Sequence, residues 1–353
     1  MPTFTADQLR EVCSKILEAA GASKDEAGIV ADHLVKSNLY GHDSHGVLRI
    51  PWYIKLIEEG SIRPGAEVKV LRETEATALL DGNWGFGQVV ARDAMERAIE
   101  KAGRCGVGVV ALFHCFHIGR LGEYSAMAVE RGMIGIVLCN APPNVAPFGG
   151  RKALIGTNPI SIAAPTAEGR PIILDMATSV AAAGKVSLAL ERRQRVPEGW
   201  IIDSEGNPTT NPADFRPRLV DLVSARGPIK MGALLPVGGY KGYGLGLIIE
   251  VLGGVLAGAG VSHECGGNGV VTMAIDVGAF RPLEEFKRTT SELVKIIKDS
   301  PKAPGFEEIL VAGEPEFRAE EQRLKEGIFV EDATWSALVE IAEELGTSLG
   351  NLG

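Results

Sequence analysis

Gly41-His42-Asp43-Ser44-His45-Gly46-Val47-Leu48-Arg49-Ile50 gathers two imidazoles, a carboxylate, a hydroxyl and a guanidinium into one short run. Two of the chain's six histidines stand here. Glycines bracket the polar cluster, and the apolar run Leu48, Ile50, Trp52, Tyr53, Ile54 and Ile57 follows as far as Gly60. That density predicts a packed helix. With helical geometry from about Ser44, His45 and Arg49 are four apart on one face. A group that titrates near neutral pH then sits beside a fork that grips carboxylates. The same residues also suit a plain helix entry capped by Asp43 or Ser44, or metal ligation by His42 and His45.

Upstream, Thr5-Ala6-Asp7-Gln8 and Ser23-Lys24-Asp25-Glu26 are capping-box patterns. They predict helices over about 5–20 and 23–39, with His33 at a surface or boundary position of the second. Downstream, short strands are expected at 67–71 and 76–80, then a helix over 85–102. Strands follow at 106–113, 133–139, 160–164 and 172–175, with a helix at 120–131 between the first two and another at 180–193 after the last. Apolar strands bounded by Gly and Pro suggest a sheet covered on both faces. The polar, Pro-rich segment 192–218 reads as a long loop. Residues 242–257 read as a buried helix whose glycines make sense if another backbone packs close. A strand at 270–277 and helices at 284–298, 316–325 and 334–345 complete the pattern.

The length, 353 residues, allows two or three domains. A net charge of −9 without a basic block argues against nucleic acid. The five cysteines (13, 105, 115, 139 and 265) are scattered and form no C-x-x-C. They point to free thiols in a reducing compartment. No secretory signal is expected at the N-terminus, and the glycine-broken stretch 245–261 carries Glu250 and does not read as a membrane span. A cytoplasmic protein is the expectation.

Polar and glycine residues collect where strands end. His114-Cys115-Phe116-His117-Ile118-Gly119-Arg120-Leu121-Gly122 follows one strand, and its glycines would let backbone amides face an anion at a helix start. Gly156-Thr157-Asn158-Pro159, Asp175-Met176-Ala177-Thr178-Ser179 and Gly239-Tyr240-Lys241-Gly242 repeat the theme. Strand ends of open α/β sheets are where ligands bind, and Lys241 is suited to a phosphate or carboxylate. No G-x-G-x-x-G stands between a strand and a helix, and Gly184-Lys185 is followed by Val186, so no Walker A loop is present.

Taken in order, Ser44-His45-Gly46 with Arg49, His117-Ile118-Gly119, Gly156-Thr157-Asn158-Pro159, Asp175-Met176-Ala177-Thr178-Ser179, Gly239-Tyr240-Lys241-Gly242 and Pro304-Gly305 resemble the malate/L-lactate (ureidoglycolate) dehydrogenase family, the type 2 or sulfolactate dehydrogenase-like group. The resemblance implies a non-Rossmann, three-layer α/β domain with a mixed sheet over 66–314, the 192–218 segment being an excursion from it. It implies a helical domain built from 1–65 with 315–353, and a homodimer. It implies an NAD- or NADP-dependent oxidoreductase acting between 2-hydroxy and 2-oxo acids. His45 and Ser44 stand where relatives place the proton-transferring histidine and its serine, although some relatives place that histidine at His117. Arg49 matches the substrate-carboxylate arginine and Thr157 a second substrate contact. Cofactor contacts carry over to His117, Ile118, Gly119, Arg120, Asp175, Met176, Ala177, Lys241, Pro304 and Gly305.

Other readings compete with this one. Relatives that reduce cyclic imino acids (piperideine- or pyrroline-2-carboxylate) use an aspartate soon after the Asp-Met-Ala segment, where this chain has Gly184-Lys185-Val186. A metal-dependent lyase or hydrolase would draw on His42, His45, His114 and His117. A non-catalytic ligand-binding protein would bind a cofactor without turnover.

Overall fold

The structure is a computed structural model that describes residues 2–167, 169–215, 231–263 and 266–349. After a two-residue strand β1 (Thr3–Phe4), the first two helices start as their caps require. Thr5 and Gln8 exchange side-chain and backbone hydrogen bonds ahead of α1 (Ala6–Ala19), and Ser23 and Glu26 do the same ahead of α2 (Lys24–Leu39). The third helix differs from expectation. Two 3-10 turns, Asp43–His45 and Val47–Arg49, come first, and α3 begins only at Ile50 (Ile50–Glu58), with Pro51 in its first turn. No side-chain cap serves the first turn.

Along the chain follow β2 (Lys69–Glu73), β3 (Thr77–Asp81), α4 (Gly87–Cys105), β4 (Val107–Cys115), α5 (Gly122–Val129), β5 (Met133–Cys139), β6 (Ile160–Ala164), β7 (Ile172–Met176) and α6 (Ala183–Glu191). The segment expected to be a loop contains β8 (Ile201–Ile202), β9 (Pro208–Thr209) and a short helix α7 (Pro212–Phe215). Together with β10 (Ala233–Leu234), β8 and β9 form a small antiparallel sheet whose isoleucines and leucine are buried. Residues 216–218 of that expectation, like Cys265, lie outside the described residues. The chain ends through α8 (Tyr240–Ile249), a π-helical segment Glu250–Leu256, β11 (Asn268–Asp276), α9 (Leu283–Lys298), α10 (Glu314–Glu326), β12 (Ile328–Phe329) and α11 (Asp332–Glu344).

Seven strands form one mixed sheet in the order β2-β3-β4-β11-β5-β6-β7. Within this sheet, among the described residues, only β3 and β4 pair in parallel; every other neighbour is antiparallel. This is not the parallel sheet of a Rossmann domain, as the missing fingerprint led one to expect. Helices α4 and α5 cover one face, where Val90, Ala94, Met95 and Ala98 meet Leu80, Leu112 and Val270. The end of α8 and the π-helical segment after it cover part of the other, through Ile249, Leu252 and Ala257 on Ala111, Leu138 and Val271. Glycines on both sides allow a close approach: a Cβ on Gly253 would lie 2.9 Å from Asn140 N, and one on Gly269 of β11 would lie 1.9 Å from Gly253 O. The expectation of a buried helix is only half right here. Ile248, Val255 and Leu256 are 55%, 58% and 59% exposed.

A second apolar core joins residues 4–62 to the tail, where Leu9, Ile16, Leu34, Ile50 and Tyr53 pack with Ile328, Leu338 and Ala342. β1 pairs with β12 across the whole length of the chain. Helix α10 lies between this core and the sheet edge, its Phe317 packed with Ala163 and Ile173. Of the described cysteines, 13, 105, 115 and 139 are free thiols.

The turn between α2 and α3 is held by side chains from outside it. Asp43 receives Asn38 Nδ2 at 2.7 Å and both terminal nitrogens of Arg323, at 2.6 and 3.0 Å. Asn38 Oδ1 accepts the Val47 N–H at 2.9 Å. The sequence reading of Asp43 as a cap is thereby corrected: its carboxylate ties the turn to α2 and to α10, 280 residues away in sequence. The fit needs a glycine at 46, since a Cβ there would lie 2.2 Å from Asn38 Oδ1. Gly46→Ala should therefore displace Asn38 and destabilise the protein by ~1–3 kcal/mol, the usual range for overpacking. Thermal or urea unfolding checks this, and an unchanged midpoint would mean that the turn does not depend on Asn38.

Candidate active site

The two 3-10 turns put Ser44, His45 and Arg49 on one small knob. Ser44 Oγ lies 3.0 Å from His45 Nδ1, and Arg49 Nε donates to the Ser44 carbonyl at 2.8 Å. The guanidinium also lies over Trp52, 5.4 Å from the ring centre. His45 and Arg49 come together as expected, but through the Ser44 backbone and consecutive 3-10 turns, not through one turn of α-helix. Gly184, at the start of α6, faces this knob; a Cβ there would be 3.2 Å from Ser44 Cβ and 3.6 Å from Arg49 Nη2.

His117 arrives from the loop after β4 and stacks on His45, with ring centres 5.4 Å apart and planes 25° from parallel. Trp52 flanks His117 at 5.6 Å. Burial, followed by the charge of Arg49, pushes His45 down to about 3. The same two causes hold His117 well below the usual range. Both imidazoles are neutral in the resting site. Behind His117 stands a pair that the sequence does not single out: the Tyr53 hydroxyl lies 2.7 Å from His117 Nδ1 and receives Gln88 Nε2 at 2.7 Å. Tyr53 and Gln88 look like ordinary helix-face residues in the sequence, and no local signal sets them apart.

The loop from Ile118 to Gly122 is less open than its glycines suggested. Ile118 is buried in the sheet core. The Arg120 N–H donates to His33 Nε2 at 3.0 Å, and the Gly122 N–H to Asp175 Oδ2 at 2.6 Å. Two of the amides read as an anion seat are thus already satisfied by the protein. His33 is buried, not at the surface, and burial pushes it down to about 4. It fills the space beside Gly119, whose φ is +76° and whose Cβ would fall 2.2 Å from His33 Nε2. Desolvation raises the Asp175 carboxyl above its ordinary value, against the pull of the nearby Arg120. Arg120 lies over Tyr40 at 4.2 Å and 3.6 Å from Glu123, and among the described residues its buried Nε has no hydrogen-bond partner.

Thr157 is tied to the end of β7, its carbonyl accepting Thr178 N at 2.8 Å and Thr178 Oγ1 at 3.0 Å. Its neighbour Asn158 is buried with φ of 33° and donates to Glu250 Oε2 at 2.7 Å. Met176 closes β7, and Ala177 follows it toward Thr178. Lys241 is exposed in the first turn of α8. Pro304 and Gly305 lie in an exposed turn. The chain returns from there to β7, where Ile173 N–H donates to Ala312 O.

The four histidines of the metal reading do not converge. His42 Nε2 pairs with Glu316 at 3.3 Å, His114 Nδ1 with Asp81 at 3.0 Å, and His45 with Ser44. Among the described residues no group of three or more His, Cys, Asp or Glu side chains could hold a metal ion.

The sequence profile of the malate/L-lactate dehydrogenase family matches residues 4–339. A malate dehydrogenase of Pyrococcus abyssi is 42% identical, over 96% of this chain and 94% of its own. The structure of a sulfolactate dehydrogenase from Methanocaldococcus jannaschii superposes with a TM-score of 0.88 at 39% identity, over 98% of both chains. A Δ1-piperideine-2-carboxylate reductase from Pseudomonas syringae superposes with a TM-score of 0.82 at 28% identity, over 97% of this chain and 100% of that one. The chain belongs to the malate/L-lactate dehydrogenase family.

Proposed function

We propose that the protein is an NAD(P)-dependent oxidoreductase interconverting a 2-hydroxy acid of the malate, lactate or sulfolactate type with its 2-oxo acid. The observation that carries this reading is the grouping of Ser44, His45 and Arg49 on one knob stacked against His117. The reaction needs a proton mover at the substrate oxygen and an anchor for the carboxylate. His45 gives the proton to the carbonyl oxygen in reduction and takes it from the hydroxyl in oxidation. Ser44 orients its ring, and Arg49 holds the carboxylate in its fork. Thr157 contacts the substrate from the β7 side.

A bound nicotinamide supplies or accepts the hydride. The residues present fit a dinucleotide. Arg120 offers a buried guanidinium, paired with Glu123, whose Nε has no acceptor among the described residues, and Lys241 is an exposed cation at a helix start. His117, Ile118, Gly119 and Arg120 would hold the cofactor together with Asp175, Met176 and Ala177, with Lys241, and with Pro304 and Gly305 on the turn leading back to β7. The site then falls between a helical domain, 1–65 with 315–353, and an α/β domain, 66–314. The cyclic-imine alternative lacks its carboxylate: Gly184 stands against Ser44 and Arg49.

We also propose a homodimer. The exposed Leu247, Ile248, Val251, Val255 and Leu256 form an apolar stripe beside a sheet face only partly covered, and contiguous apolar faces of this kind mark association. A second copy is the occupant that the family resemblance names. Sedimentation should give a dimer, and charging the stripe with Ile248→Asp and Val255→Asp should give a monomer. A wild-type protein that sediments as a monomer at micromolar concentration would end this proposal.

Two variants test the chemistry. His45→Ala should lower turnover by ~10²–10⁴, the range of a general acid–base contribution, while cofactor binding persists. Arg49→Lys should raise the KM for the oxo acid sharply, since an ammonium cannot supply the fork. NADH- and NADPH-oxidation assays across a panel of 2-oxo acids provide the measurement. Undiminished turnover in His45→Ala, with loss in a His117 variant instead, would transfer the role to His117.

A further inference from the structure

The hydrogen-bond chain behind His117 fixes which of its nitrogens carries the proton. Tyr53 and Gln88 are each 1% exposed, so bulk water does not complete their bonding. The phenol has two contacts, Gln88 Nε2 and His117 Nδ1, both at 2.7 Å. A phenol has one proton to give and lone pairs to receive with. The amide nitrogen of Gln88 only donates, so it occupies a lone pair of the phenol oxygen. If Nδ1 of His117 also donated, the phenol proton would be buried without an acceptor, a loss of ~1–3 kcal/mol. The satisfied arrangement runs one way, from the Gln88 amide to the Tyr53 oxygen and from the Tyr53 hydroxyl to Nδ1.

We infer that Tyr53, aligned by Gln88, holds His117 as the neutral tautomer with its proton on Nε2. His117 is then a hydrogen-bond donor in the site, and proton transfer is left to His45. The second half of this inference rests on the proposed dehydrogenase reading; the first half stands on the geometry alone. Charging His117 would require Nδ1 to gain a proton against the phenol proton already directed at it. Burial pushes the Tyr53 phenol up to about 12, so it keeps that proton at any working pH. The positive charge of Arg49 opposes protonation of the same ring. His33 provides an internal contrast, because its Nε2 accepts the Arg120 N–H and its proton must therefore be on Nδ1. Tyr53 and Gln88 are positioning residues, since they act through the imidazole.

Long-range ¹H–¹⁵N correlation on histidine-labelled protein reads the tautomer directly, with His117→Gln assigning the resonance. The expected spectrum has a pyridine-like Nδ1 and a pyrrole-like Nε2 for His117, and the reverse for His33. In Tyr53→Phe the His117 Nδ1 resonance should shift, and turnover should fall roughly 10–100-fold, as for loss of a supporting hydrogen bond. A pyrrole-like Nδ1, or an imidazolium at neutral pH, overturns the inference, and the wild-type spectrum alone decides it. The two readings fail separately. An Nε2–H tautomer with full turnover in His45→Ala leaves the lock standing and removes the assignment of the proton to His45. A reversed tautomer with an inactive His45→Ala does the opposite.

Discussion

The carboxylate of Asp43, gripped by Asn38 and by both terminal nitrogens of Arg323, is the constraint on which the site depends. Two successive 3-10 turns are not a stable unit in water. Here they persist because their polar groups are taken up by neighbours on α2 and α10, and because Gly46 leaves room for Asn38. A two-pronged Arg–carboxylate pair fixes direction as well as distance. It sets where Ser44 and His45 face, and Arg49 is then anchored on the Ser44 carbonyl. The tail of the chain thus completes the site without supplying a reacting group. Its truncation would remove Arg323 and leave Asp43 with Asn38 alone.

A second network holds the turn at 156–158. Glu250 is buried in the π-helical segment, where it receives Asn158 Nδ2, Ser262 Oγ and the Ser262 N–H. Ser262 Oγ in turn lies 2.9 Å from Gly156 N. A buried carboxylate is tolerated when it collects donors in this way. The strained, left-handed Asn158 is held by it, and with Asn158 the turn that carries Thr157. π-bulges of this kind often mark functional sites; this one brings Glu250 beneath the 156–158 turn.

What could be read in the sequence was local. The strands at 133–139 and 160–164 have the bounds that their apolar runs predict, and both capping boxes form. Ser44, His45 and Arg49 could be picked out because rare residue types crowd together there. Contacts distant along the chain left no such trace. Nothing near Asp43 announces Arg323, and nothing near His117 announces Tyr53 or Gln88. The burial of His33 leaves no local mark, because a lone histidine in a helix carries no sign of it; its partner is a backbone amide 87 residues later. The polar segment after 192 hid a small sheet because two-residue strands fall below any useful periodicity.

The electrostatics of the site give the proposed reaction a sequence in time. With no substrate bound, burial and the charge of Arg49 keep His45 neutral down to about pH 3, so the resting ring is a base. That form suits the oxidation of a hydroxy acid, in which the ring must accept a proton. Reduction needs the charged ring. A substrate carboxylate in the fork of Arg49 would offset the largest of the charges that depress His45, second only to burial, and so raise its pKa. Binding the acid end of an oxo substrate then favours proton uptake at the neighbouring imidazole. On the proposed reading the carboxylate would be more than a handle for recognition, since it would relieve the repulsion that otherwise keeps the proton away. His117 lies in the same field of Arg49 but has Nδ1 engaged by Tyr53, so the relief acts on His45 and not equally on both rings.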